Sequence, residues 1–249
     1  MIKTYSEKIS EIDVDKLGWD KSVYLTFDID WASDFVVADT LELLSKFNLS
    51  ATFFATHDTP ILNEIRANPR YELGIHPNFN DLILRTENQD IKSAREKIDE
   101  LKQIVPEALS IRSHSTTNSS KLLEIFQEFD IQFDCNYVIP YHVVDKIVPW
   151  RLWNNMTRVP YYYADDLSLA YNLIEESMPK ICNREGIKVF DFHPVHIYLN
   201  TDSLATYEKT RDIHRNEKLL LQNRIAKRGT RDKFLELLEF VASREPHAR

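Results

Sequence analysis

Two kinds of hydrophobic pattern alternate along the 249-residue chain. Short, nearly continuous apolar or β-branched runs read as buried strands: "SVYLTFDID" (22–30), "SATFFAT" (50–56), "YELGIH" (71–76), "ALSIRSHS" (108–115), "IQFDCNY" (131–137) and "GIKVFDFHPVHIYLN" (186–200). Between them lie stretches with apolar residues three or four apart, the spacing of one helix face. One covers 33–48, with Val37, Leu41, Leu44 and Phe47 in register, and another covers 59–69, with Pro60 at its start and Pro69 at its end. Further helices are predicted over 90–105, over 118–129 behind a Ser/Asn cap, and over 167–178. The C-terminal part, 204–228 and 230–244, reads as helical, divided by Gly229–Thr230 as stop and cap. Strands alternating with helices of about a dozen residues predict βαβ units and a mostly parallel sheet. Roughly six or seven such units favour an α/β fold of the distorted or incomplete (β/α) barrel kind over an open sheet. Residues 138–165 are irregular and aromatic and are expected to form a long loop over the sheet. The whole chain reads as one domain, with an N-terminal extension over 1–20 and C-terminal helices over 204–249.

Composition narrows the function classes. The chain is 43% hydrophobic and 28% charged, ordinary for a soluble globular protein. Its net charge of −8, with no basic stripe, argues against a nucleic-acid partner. The N-terminal "MIKTYSEK" has no apolar leader, and no run of about 18 apolar residues suggests a membrane span. Cys135 and Cys182 lack the spacing of a metal or disulfide motif, so a reduced, cytoplasmic protein is expected. Only four glycines occur, which leaves no glycine-rich cradle for phosphates. The oligomeric state is open.

Ligand sites in parallel α/β folds lie at the carboxyl ends of the strands. There the sequence puts Asp28 and Asp30, His57 and Asp58, His76, Arg112 and His114, and finally Asp191, His193 and His196. Five of the eight histidines fall at such ends, more than scattered surface groups would. Asp28 and Asp30 are one strand period apart and can face the same side. One carboxylate could hold a divalent cation while its unligated neighbour takes a proton from water. In "HPNFN", Pro77 can open a helical turn that sets Asn80 over His76. An amide oxygen is a weaker ligand than imidazole, and Asn80 could equally cap the stretch "DLIL". His114 or His57 could then take its place.

"TFDID", "HPNFN", "IRSHS" and "FDFHPVH", in that order over about residues 22–200, resemble the polysaccharide deacetylase superfamily. That group is also known as carbohydrate esterase family four or the NodB homology domain. "YYYADD" and "HPVHIYLNT" are most similar to its WbmS-like branch. The resemblance implies a NodB-like fold, a divalent metal (zinc first, with manganese, cobalt or nickel as options) and an amino-sugar or nucleotide- or lipid-linked glycan as substrate. It implies Asp28 as general base, Arg112 as its partner and His193 as general acid. Asp30, His76 and Asn80 would be the metal ligands, Asn80 standing where the family usually has histidine. His114 and His196 would line the site, and Asp165 or Asp166 would orient an imidazole or cap the next helix. The aromatic run over 150–163 could stack on sugars or form loop core. The implied activity is metal-dependent removal of an N-acyl group, acetyl or formyl, from an amino sugar in surface-polysaccharide synthesis. Two other classes remain: an inactive glycan-binding scaffold on the same fold, and a hydrolase of non-sugar amides or cyclic imides.

Overall fold

The computed structural model describes residues 6–84, 92–171 and 176–244. Its first half is the predicted alternation: β1 (Val23–Asp28), α1 (Asp34–Phe47), β2 (Ala51–Ala55), α2 (Ile61–Ala67), β3 (Tyr71–Ile75), α3 (Asn80–Leu84), α4 (Ala94–Ile104), β4 (Ser110–Ile111), α5 (Ser120–Glu128) and β5 (Phe133–Asp134). Local chemistry sets these boundaries. Ser93 accepts from the Glu96 amide while the Glu96 carboxylate accepts from the Ser93 amide, a capping box that starts α4. Ser119 likewise caps α5 through the Leu122 amide. Helix α1 stops at Asn48, which turns left-handed at φ 58°. Residues 90 and 91 of the helix predicted over 90–105 lie outside the described residues.

The chain continues through β6 (Lys146–Ile147), β7 (Trp150–Arg151), β8 (Thr157–Arg158), β9 (Tyr163–Ala164), α6 (Asp165–Tyr171), α7 (Met178–Cys182), β10 (Glu185–Gly186), β11 (Lys188–Phe192), α8 (Pro194–Leu199), α9 (Leu204–Thr210), α10 (Glu217–Gln222) and α11 (Thr230–Ala242). Nine strands form one sheet in the order β7-β8-β5-β4-β3-β2-β1-β11-β9. Every pairing in it is parallel except β7 with β8. The stretch 157–164 pairs with β5 at one end and with β11 at the other. It therefore joins both flanks of the sheet and curls it into an incomplete barrel, the architecture expected from the βα alternation.

The strands carry different chemistry on their two faces. Outward residues form the main apolar core against the helices: Phe27 stacks on Phe53 at 4.8 Å, and Phe234 of α11 meets Phe27 edge-on at 5.6 Å. The inward face is polar. Thr26 and Asp28 of β1 alternate with Phe27, as the period of two requires, and they meet Asp191 of β11 and Arg112. The N-terminal segment seals the amino end of the barrel. Ile9 is fully buried there, its amide donates to Thr52, and Ser10 donates to Glu72.

Four predicted elements differ from the structure. The helix expected over 204–228 is divided into α9, a 3-10 turn over Arg211–Ile213 and α10, which ends at Gln222. The strand expected over 186–200 ends at Phe192, and Pro194–Leu199 is helical. All six helical residues are buried, and continuous apolarity does not separate a buried strand from a buried helix. Pro194 at the first turn spends no hydrogen bond there and sets a helical φ. The segment 138–165, expected as a loop, contributes strands to the sheet, and Tyr161, Tyr162 and Tyr163 are buried in it. The helix expected over 167–178 starts two residues earlier, and Met178 belongs to the next helix. Residues 172–175 between them lie outside the described residues.

Gly74 marks a close approach inside the barrel. A Cβ there would lie 2.5 Å from Ser110 Oγ and 2.7 Å from the Phe54 ring. Gly74→Ala should therefore destabilise the protein by about 1–3 kcal/mol, the usual cost of overpacking. Urea denaturation measures this, and an unchanged midpoint would mean that the interior has slack.

Candidate active site and metal centre

Each polar residue of the site is the last residue of a strand or lies one to three beyond it: Asp28 and Asp30 after β1, His76 after β3, Arg112 and His114 after β4, Asp165 after β9, His193 after β11. Parallel strands put these ends on one rim. Arg112 is 1% exposed at its centre. Its Nη1 donates to Asp28 Oδ1 at 3.0 Å and to Asp191 Oδ1 at 2.6 Å. Its Nη2 donates to Thr26 Oγ1, and its Nε to the Cys135 carbonyl. The guanidinium lies 4.5 Å from the Phe54 ring and 4.4 Å from the Tyr161 ring. Burial alone would lower its pKa, but Asp191 and Asp28 outweigh that and hold it above the ordinary arginine value. Burial raises Asp191 well above the carboxylate range despite Arg112, with Asp28 adding to the rise.

Asp30, His76 and His114 converge beside this cluster. Asp30 Oδ1 is 3.3 Å from His76 Nε2 and 3.1 Å from His114 Nδ1. The two imidazole nitrogens are 3.3 Å from each other. Ligands about 2.0–2.1 Å from a tetrahedral cation lie about 3.3–3.4 Å apart, so the donor set and its spacing fit a divalent ion. Burial opposes ionisation of Asp30, but hydrogen bonds from His114 and His76 outweigh it and hold the carboxyl far below its usual range. His76 Nδ1 is buried without a hydrogen-bond partner, with Asp28 Oδ2 3.6 Å away.

The loop that carries His114 is tied down from both sides. Its Ser113 amide donates to Asn136 Oδ1 at 2.6 Å, and Asn136 Nδ2 donates to Asp134, which the buried Arg158 also holds. Asn80 Nδ2 donates to Ser115 Oγ at 3.1 Å, and Asn80 Oδ1 accepts a long bond from Thr117. Asn80, expected over His76 as a ligand or as a cap, is the first residue of α3. Its amide is thus engaged with residues 115 and 117, the neighbours of His114.

His193 faces the cluster from the other side. Its Nδ1 bonds Asp165 Oδ1 at 2.7 Å, and its amide donates to Asp165 Oδ2 at 2.9 Å. Its Nε2 points at Asp30 Oδ2, 3.7 Å away. Burial works against a charged ring, yet Asp165, with Asp166 and Asp30 behind it, raises His193 well above the usual histidine value. His196 sits one helical turn on, bonded to Thr201 Oγ1. Burial dominates there and pushes its pKa down to about 4. Asp166, also raised by burial, bonds the Leu167 amide at the start of α6.

The fold thus brings Asp28, Asp30, His76, Arg112, His114, Asp165 and His193 together. His57 bonds Thr56 and is half-buried. The expected aromatic platform divides: the three tyrosines are core, while Trp150 and Trp153 are exposed. The sequence placed Asp191 at the rim without a role and Tyr161 only within the aromatic run, whereas both pack against Arg112. Asn136 carried no signal.

Removing the guanidinium would leave Asp28 and Asp191 buried side by side. Arg112→Met should cost about 3–5 kcal/mol, the cost of orphaning a buried ion pair. Adding Asp191→Asn should recover part of that loss. Urea denaturation of both variants checks this, and a single variant as stable as wild type would refute it.

A family model for WbmS-like polysaccharide deacetylases matches residues 25–211, which include every residue of the candidate site. The fold superposes on the crystal structure of a candidate polysaccharide deacetylase described as involved in O-antigen biosynthesis, from Bordetella bronchiseptica. The TM-score is 0.89 and the identity 40%, over 95% of this chain and 97% of that one. A candidate polysaccharide deacetylase from Mycobacterium smegmatis is more distant, with a TM-score of 0.45 and 17% identity over 89% of this chain and 83% of that one. No curated protein matches the sequence. By its sequence model and by a relative aligned over nearly its whole length, the chain belongs to the WbmS-like polysaccharide deacetylase family.

Proposed function

We propose that the protein is a metal-dependent hydrolase that removes an acetyl or formyl group from the nitrogen of an amino sugar. The observation that carries this reading is the arrangement of three groups. A trio of ligand atoms 3.1–3.3 Å apart lies between an Arg112-bound carboxylate and an Asp165-bound imidazole. Asp30, His76 and His114 would hold the ion, and two imidazoles with one carboxylate suit zinc, with cobalt, nickel or manganese as substitutes. Asn80 would brace the His114 loop through Ser115. A cation bound there supplies a Lewis acid for the acyl oxygen and lowers the pKa of water. The remaining chemistry belongs to the side chains. Asp28, oriented by Arg112, accepts the proton of the attacking water. His193, held by Asp165 at Nδ1, presents Nε2 to the departing nitrogen and protonates it. The separation of base and acid follows from their different partners, a guanidinium for one and a carboxylate for the other.

The biological setting rests on similarity. The 40% identical relative is described as involved in O-antigen biosynthesis, so we assign this chain to surface-polysaccharide assembly. The substrate would be a cytoplasmic nucleotide- or lipid-linked amino sugar. No helix among the described residues is long and apolar enough to cross a membrane.

Purified protein stripped with a chelator should regain acetate release from N-acetylated sugars on adding zinc or cobalt. Asp28→Asn should keep its metal and lose turnover by about 10²–10⁴-fold, the usual worth of a general base. Loss of metal in that variant, or full activity in the chelated protein, would sink the assignment. Metal content by atomic absorption also separates the ligands. His114→Ala should abolish stoichiometric binding, whereas Asn80→Ala should weaken it only about 10–100-fold, as for an outer-shell support. The opposite ranking would make Asn80 the ligand.

A further inference from the structure

We propose that the cavity beside Asp30 receives an anionic group, a carboxylate or a phosphate, borne by the sugar that is deacylated. This deepens the hydrolase reading and rests on it for the word substrate. The cavity has a volume of about 360 Å³, and Asp30, Trp31, Tyr207, Arg211, His214 and Arg215 are among its lining residues. That size suits a small ligand. The candidate ligand Asp30 is among its lining residues, so the cavity borders the proposed metal centre.

The lining offers two kinds of recognition. Trp31 is 41% exposed, its ring edge-on to His114 at 5.3 Å. The Tyr207 ring packs 4.8 Å from His196 and 4.9 Å from His214. Aromatic rings so held suit the apolar face of a pyranose. The second kind is cationic. Arg211 commits Nη2 to Glu208 at 2.7 Å and retains its other donors. Arg215 makes no hydrogen bond or ion pair among the described residues, and its charge reaches the His57 ring. Two acidic groups share the lining. Asp30 is occupied by His76 and His114, and Asp212 is the other acidic residue of the lining. His214 is depressed by burial and by Arg211 and adds no lasting charge. The molecule as a whole carries −8, which repels an anionic substrate, so guanidinium groups at this entrance supply local attraction. Their forked donors match carboxylate and phosphate oxygens. A neutral sugar offers them only hydroxyl and ring oxygens, weaker acceptors than a charged oxygen.

The test compares three N-acetylhexosamine substrates: the neutral sugar, its uronic acid and its 1-phosphate. Each is assayed with zinc-loaded wild type, with the Arg211→Gln/Arg215→Gln variant and with the corresponding double lysine variant. One anionic sugar should exceed the neutral one in kcat/KM by about tenfold or more, through KM, as one charge-assisted contact implies. The glutamine variant should bring that ratio near one, and the lysine variant should restore part of it. Which anion wins identifies the source of the charge. Equal rates for all three sugars, or a ratio unchanged in the glutamine variant, would overturn the inference and leave the hydrolase reading standing. Titration calorimetry covers the converse case. If no sugar is hydrolysed but the anionic sugar binds wild type and not the glutamine variant, the anion site stands and the hydrolase reading falls. If neither hydrolysis nor anion-dependent binding occurs, both fall.

Discussion

The Arg112 guanidinium, one residue past β4, is buried between the carboxyl groups of Asp28 on β1 and Asp191 on β11 and two aromatic rings. A charge taken out of water costs several kcal/mol unless it is paired and its donors are used. Here Asp28 and Asp191 accept from Nη1, while Thr26 and the Cys135 carbonyl take further donors. These partners come from residues 26, 28, 135 and 191, so the interaction forms only when the barrel is correctly curled. It also fixes the Asp28 carboxyl group, leaving Oδ2 toward His76. The fold and the orientation of the proposed base are thus one electrostatic problem with one solution.

The rim is less relaxed than the barrel. Asp30 and Trp31 are left-handed at φ 38° and 54°, and so are Ser115 and Thr116 at 55° and 53°. Each such residue costs on the order of 1–3 kcal/mol when it is not glycine. The two strained pairs lie in the two loops that supply Asp30 and His114. Neighbouring side chains and backbone hold them: Thr56 accepts from the Trp31 amide, Asn136 from the Ser113 amide, and the Pro77 carbonyl from the His114 amide. The strained residues thus include or adjoin the two side chains, Asp30 and His114, that meet at 3.1 Å. The strain is offset by contacts that contribute no ligand themselves.

His193 and His196 separate two effects that a histidine-rich rim would otherwise blur. They are three residues apart, both buried, and their rings are 5.6 Å from each other. His193 has a carboxylate on Nδ1 and is raised; His196 has a hydroxyl and is lowered to about 4. The difference lies in the partner rather than in burial, because a buried anion favours a nearby cation and a neutral hydroxyl does not. Asp165 thus selects which of two similar rings stays charged.

The βα alternation and the rim residues were legible in the primary structure because both depend on local rules. Short continuous apolar runs, helix caps and the strand-end positions of Asp28, Asp30, His76, Arg112 and His193 are fixed by covalent spacing. The helix at Pro194–Leu199 was hidden, since a run buried on every side has no amphipathic period to read. The strands over 157–164 were hidden for another reason: their hydrogen-bond partners are β5 and β11, far away along the chain. The spacing in "HPNFN" suggested Asn80 over His76, yet the nearest imidazole nitrogen to His76 belongs to His114, 38 residues on. That proximity, the Asp191 contact with Arg112 and the Asn136 brace all arise between segments that only the curled sheet brings together. Local sequence therefore decided which residues reach the rim, and the closure of the barrel decided which of them face one another.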